Sequence, residues 1–145
     1  LVDLDPAEVH RTLNVCAFGA FLVAQQAAKH MLAKGAGTIL FTGASAGVKG
    51  YARSAPFAMG KFALRGLAQS LARELGPQNI HVAHFIIDGG IAAPGRDLTS
   101  VESSSNADDA ELEPDAIAQT YMAILKQHRS AWTHEVDLRP WTENF

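Results

Sequence analysis

Helical and extended patterns alternate along this chain (helix, strand, helix, strand, helix, strand), a rhythm that belongs to α/β proteins built on a parallel sheet. The extended pieces carry the tighter constraint. Thr38-Ile39-Leu40-Phe41-Thr42 is a short apolar run bounded by glycines, as expected of a strand covered on both faces. Ile80-His81-Val82-Ala83-His84-Phe85-Ile86-Ile87 reads as a further strand, ended by Asp88-Gly89-Gly90, and residues 131–138 are the candidate for a last one.

The helical pieces have legible starts and stops. Asp5-Pro6-Ala7-Glu8 predicts a helix start: Asp5 can cap, Pro6 fits the first turn, and Glu8 stands where a capping box needs it. From there Val9, Leu13, Cys16, Ala20, Val23, Ala27 and Met31 step by three and four until Gly35. Phe18, Phe21 and Leu22 widen that stripe, so the helix is expected to be buried on more than one side. A second helix spans about 54–75, with Phe57, Lys61, Leu64, Ala68, Leu71 and Leu75 on one face, and Gly76-Pro77 stops it. Helical spacing returns over 113–128. Residues 93–113, with Pro94, Gly95, three consecutive serines and several acids, read as a mobile loop.

The chain has 145 residues, which suits one domain. Twelve basic against fifteen acidic residues, net −3, gives no electrostatic case for nucleic acid or an anionic membrane surface. Lys29, Lys34 and Gly35 close the longest apolar stretch, so no membrane span is expected, no leader is visible, and a cytoplasmic location is the default. Cys16 reads as a small buried hydrophobe. His10, His30, His81, His84, His128 and His134 show no metal-ligand spacing and read as surface or interface residues, with no metal expected. The chain opens at Leu1 rather than methionine, so an upstream segment is expected.

Parallel sheets of this kind bind ligands beyond the carboxyl ends of their strands. Here those ends are the loops 43–50 and 88–94.

Four strings then carry a resemblance. Asn14-Val15-Cys16-Ala17-Phe18-Gly19 is similar to the helix that holds the catalytic asparagine of the short-chain dehydrogenase/reductase family. Gly37-Thr38-Ile39-Leu40-Phe41-Thr42-Gly43-Ala44-Ser45-Ala46-Gly47 resembles its serine-bearing strand and loop. Phe57-Ala58-Met59-Gly60-Lys61 falls on its Tyr-x-x-x-Lys helix, and Ser70-Leu71-Ala72-Arg73-Glu74-Leu75-Gly76 with Ile80-His81-Val82 continues the match over roughly residues 5–92.

The resemblance implies a Rossmann-like doubly wound α/β fold of which this chain is the C-terminal part, and an NAD- or NADP-dependent oxidoreductase acting on a small carbonyl or alcohol. In that family the tyrosine gives a proton to the carbonyl, the lysine lowers the tyrosine's pKa and holds the nicotinamide ribose, the serine orients the carbonyl, and the asparagine anchors a relay water. Tyrosine and lysine stand four apart because such residues share a helix face. Carried over position by position, Asn14 and Lys61 are kept, Ala44 takes the serine's place and Phe57 the tyrosine's. Losing a general acid costs about 10² to 10⁴ in rate, so the family's reaction cannot run here unchanged.

Ser45 is the nearest substitute for the serine, against a bland role satisfying loop backbone. Tyr51 and Ser54, which precede Phe57, are further candidates to project into the cleft, Tyr51 otherwise being a partly exposed loop aromatic. Lys61 is read as a ribose contact rather than a snorkelling surface cation. The family's Pro-Gly-x-x-x-Thr loop is replaced by Asp88-Gly89-Gly90-Ile91-Ala92-Ala93, where Gly89 admits close backbone approach and Ile91 offers main-chain contacts to the cofactor. Asp88 is either a solvated turn residue or a charge that repels a cofactor phosphate. The family's glycine-rich dinucleotide turn does not occur in these residues. The expectations are therefore a diverged oxidoreductase, or a catalytically silent dinucleotide-binding or scaffold protein, with homo-oligomer contacts through helices 5–34 and 54–75.

Overall fold

The alternating pattern becomes three parallel strands between two layers of helix in the computed structural model, which describes residues 1–92 and 110–143. Strand β1 (Gly37–Thr42) pairs with β2 (Ile80–Ile87), and β2 with β5 (Glu135–Leu138). In register, Thr42 lies beside Phe85 and Ile87 beside Leu138. Every residue of β2 is buried because helices cover both its faces, which is why its sequence does not alternate.

The even-numbered positions of β2 face one layer and the odd-numbered positions the other, since side chains alternate along a strand. Ile80 and Val82 pack with Ile39 and Phe41 of β1 against α2 (Gly19–Lys34) and α3 (Ala55–Leu75), through Ala24, Ala28, Leu64, Ala68 and Leu75. Ala83, Phe85 and Ile87 pack on the far side against Ile124 of α4 (Pro114–Leu125), with Tyr121 and Val136 at the margin. This is the doubly wound, Rossmann-like arrangement expected, as a partial sheet.

The first helix departs from expectation in an instructive way. Asp5 caps α1 (Pro6–Leu13) as foreseen, its carboxylate accepting from Ala7 N at 2.9 Å, but Glu8 closes no capping box and pairs with Arg11 instead. A π-helical turn then spans Asn14–Phe18 and inserts one residue into the helical repeat. One residue is about 100° of rotation, so the buried stripe moves from Val23 onto Ala24 and Ala28, and Val23 is left 72% exposed. Phe18, Phe21 and Leu22 are exposed too, so within one chain the helix is buried on a single side. Cys16 is half-buried rather than buried and packs against α3, where a side chain on Gly60 would meet its Cβ at 2.7 Å.

Other boundaries shift as well. The last strand starts at Glu135 because Arg129–Ala131 form a 3₁₀ turn, and α4 ends at Leu125. Of the expected loop 93–113, residues 93–109 lie outside the described residues. Glu111–Leu112 (β4) is not loop but pairs in parallel with Gly90–Ile91 (β3).

Candidate active-site crevice

The crevice forms where β1 and β2 end. After Thr42 the backbone continues into Gly43, whose N–H donates to Phe85 O at 2.7 Å, then through a 3₁₀ turn, Ser45–Gly47. That turn rests on α3: a side chain on Gly47 would meet Lys61 O at 3.1 Å. Ala44 is extended and half-buried, and Ser45 is half-buried with its carbonyl accepting from Val48 N and Lys49 N.

Lys61 reaches into this crevice. Its Nζ donates to Thr42 O at 3.1 Å and lies 5.6 Å from the centre of the Phe57 ring, one turn earlier on α3. The i, i+4 spacing does place both side chains on one face, so the ammonium sits beside an apolar ring. Of the two substitute hydroxyls on the approach to α3, Ser54 is committed, its Oγ donating to Tyr51 O at 3.1 Å. Tyr51 is exposed, with the Lys49 ammonium 5.5 Å from its ring centre. Asn14 stands in the π-helical turn, where its carbonyl accepts from Gly19 N and its side-chain amide meets His10 Nδ1 at 3.4 Å.

Asp88 is not a solvated turn residue. It is 5% exposed, its N–H donates to Leu138 O, and its carboxylate lies 3.9 Å from Lys49 Nζ and 3.7 Å from Arg139 Nη1. Lys49 and Arg139, the latter also paired with Asp137, thus stand against that buried charge. Gly89 follows with φ +150°, where a side chain would meet Pro140 Cδ at 2.8 Å, so only glycine fits. Ile91 is exposed on β3.

Beneath the crevice lies a charged cluster that sequence reasoning missed. Arg65 donates two hydrogen bonds to Glu135, at 2.8 and 2.6 Å, and Glu135 accepts from His84 Nδ1 at 3.0 Å. Arg65 holds the Glu135 carboxyl below its ordinary range, with His84 assisting. Burial pushes His84 down, against the pull of Glu135. His84 and His81 are both buried, not surface residues: His84 lies against Gly43, and His81 stacks on Trp132 with ring centres 4.7 Å apart. The i+4 step from Lys61 to Arg65 was a readable signal. Glu135, seventy residues on, gave none.

A parallel sheet with helices on both faces, and a lysine and a glycine turn at its carboxyl strand ends, defines a Rossmann-like α/β protein. The chain belongs to the short-chain dehydrogenase family, the profile described as short chain dehydrogenase matching residues 1–105. It is 31% identical over 131 residues to the (21S)-21-acetoxyl-apo-melianone synthase SDR of Melia azedarach, covering 86% of this chain and 48% of that protein. A short-chain dehydrogenase structure from Rhodopseudomonas palustris matches with TM-score 0.77 and 36% identity, over 97% of this chain and 55% of the other. An alcohol dehydrogenase from the archaeon Thermococcus sibiricus, complexed with 5-hydroxy-NADP, shares the fold with TM-score 0.79 at 19% identity, over 99% of this chain and 58% of that one. The chain spans about half the length of the curated relatives it matches. Among the described residues no helix is long and apolar enough to cross a membrane.

Proposed function

We propose that this chain is the C-terminal part of a cytoplasmic NAD- or NADP-dependent oxidoreductase for a small carbonyl or alcohol, with a diverged catalytic centre. One observation carries the reading: the Lys61 ammonium is held at Thr42 O in the crevice while the ring beside it, Phe57, has no proton to give. A scaffold has no need of a cation at that spot.

The residues fit the nicotinamide end of a dinucleotide. Lys61 would hold the ribose, and Gly89 and Ile91 would offer main-chain contacts, with Asp88 already offset by Lys49 and Arg139. When bound, the dinucleotide supplies hydride chemistry. The chain's own part is to orient the carbonyl, for which Ser45 is the nearest hydroxyl, to exclude water, and to place a proton. Asn14, at the π-helical turn, would anchor the relay water. A silent dinucleotide-binding protein is the second reading, favoured by Ala44 and Phe57 together. The exposed Phe18, Phe21, Leu22 and Phe62 on the helices of residues 5–34 and 54–75 support a homo-oligomer contact there.

Nicotinamide fluorescence on the full-length protein tests binding, and a carbonyl panel tests turnover. Binding without turnover that stays absent in Phe57→Tyr would establish the silent reading. Turnover in the wild type, raised about 10² or more by Phe57→Tyr, is the result expected of a diverged enzyme.

A further inference from the structure

The loop between β1 and α3 carries a phenol next to a cation that the family's chemistry does not use. Tyr51 is 46% exposed. Its backbone is pinned to the start of α3, its carbonyl accepting from both the N–H and the hydroxyl of Ser54 at 3.3 and 3.1 Å. Lys49 lies two residues back, its N–H donating to Ser45 O at 3.0 Å and its ammonium over the Tyr51 ring. Beyond that ammonium is the buried Asp88 carboxylate, itself flanked by Arg139. Buried acid, ammonium and exposed phenol therefore stand in sequence at the carboxyl ends of β1 and β2, where ligands of parallel sheets bind.

We infer that Tyr51 is the proton donor of this diverged centre, with Lys49 as its positioning residue and Asp88 as the anchor of Lys49. This rests on the oxidoreductase reading above and names the group that reading lacks. In the step, the carbonyl carbon gains a hydride, with a reduced nicotinamide as the reductant. The C=O π pair moves to oxygen, and the Tyr51 O–H bond breaks to supply the proton. The carbonyl is reduced to the alcohol, and the phenolate left on Tyr51 faces the Lys49 ammonium until it recovers a proton from water. Hydrogen bonding to Tyr51 raises the Lys49 ammonium above its ordinary range, with Asp88 adding in the same sense, so it stays charged through the step. Burial, and to a smaller degree Arg139, oppose that rise without cancelling it.

Two measurements on the full-length protein test this. In the first, tetranitromethane nitrates exposed tyrosine and peptide mass spectrometry reads Tyr51 with and without bound NADH or NADPH. Protection of Tyr51 on binding is expected, and unchanged nitration in the complex overturns the assignment. In the second, Tyr51→Phe should lower kcat by about 10² to 10⁴ with dinucleotide affinity kept, and adding Phe57→Tyr should restore turnover because Lys61 is still in place. Lys49→Met should lower kcat with KM unchanged, and Lys49→Arg should recover most of it. Full turnover in Tyr51→Phe overturns the inference alone. A wild-type protein that binds no dinucleotide, or binds without turnover, overturns the oxidoreductase reading and this inference together.

Discussion

Lys61 and Arg65 stand one turn apart on the same face of α3, yet their surroundings differ in kind. Among the described residues Lys61 makes a single hydrogen bond, to a backbone carbonyl, beside an apolar ring. Arg65 is locked by two bonds to Glu135, which in turn holds a histidine with no solvent exposure. The lower cluster ties α3, β5 and β2 together through Glu135, whose removal leaves both Arg65 and His84 without the partner it gives them. The upper one leaves its ammonium largely uncommitted. The same helix thus carries structure at one turn and a candidate site at the next.

The largest effect should follow from cutting the lower cluster. Glu135→Ala leaves Arg65 and buried His84 unpaired and is expected to cost about 3 kcal/mol, read by urea unfolding of the full-length protein. A change below about 1 kcal/mol would mean that the cluster is not what fastens the helix to the sheet. Next comes Gly43→Ala. Its new methyl would overlap the His84 ring and approach Phe85 O at 2.9 Å, so a loss of about 2 kcal/mol is expected from the same measurement. Shrinking the histidine in a double variant should recover part of that loss, whereas strict additivity would show that the two do not touch.

Acidification should have the next largest effect on stability. Burial lowers His84 in the folded chain, so unfolding takes up a proton. The stability it contributes is complete above the ordinary histidine value of 6.5 and is lost as pH falls below it. Glu135, held down chiefly by Arg65, contributes above its ordinary 4.5 and loses that contribution in stronger acid. Thermal midpoints should therefore drop on acidification, in two stages. A profile flat down to about pH 5 would count against a buried neutral His84. The smallest expected change in stability belongs to Lys61→Met, within about 0.5 kcal/mol, because its ammonium holds so little of the fold. Its effect should appear in dinucleotide affinity instead, a fall of about tenfold or more for one lost charged hydrogen bond. A Lys61→Met protein that binds normally but unfolds easily would invert the comparison between the two turns.

What the amino acids alone determined was the local layer of this protein. Unalternating strands at 38–42 and 80–87 called for cover on both faces, and their alternation with helices pointed to a parallel sheet as what supplies it. The four-residue step from Phe57 to Lys61 put ring and ammonium on one face without any knowledge of the fold. Gly89 was legible as a position that needs glycine, and its φ of +150° with Pro140 packed against it is the structural reason. The tertiary structure decided the rest, because it depended on contacts between residues distant in sequence. The π-helical turn at Asn14–Phe18 shifted the buried stripe by one residue, and helical spacing continues through such a turn without an obvious mark. His81 and His84 read as surface or interface residues until β5 and the segment before it brought Glu135 and Thr133 to them across about fifty residues of chain. Asp88 looked exposed or repulsive until Lys49 and Arg139, from opposite directions along the chain, closed over it. Local propensity and spacing report on neighbours a few residues away, whereas a buried charge is tolerable only if a partner arrives, and its arrival is a property of the fold.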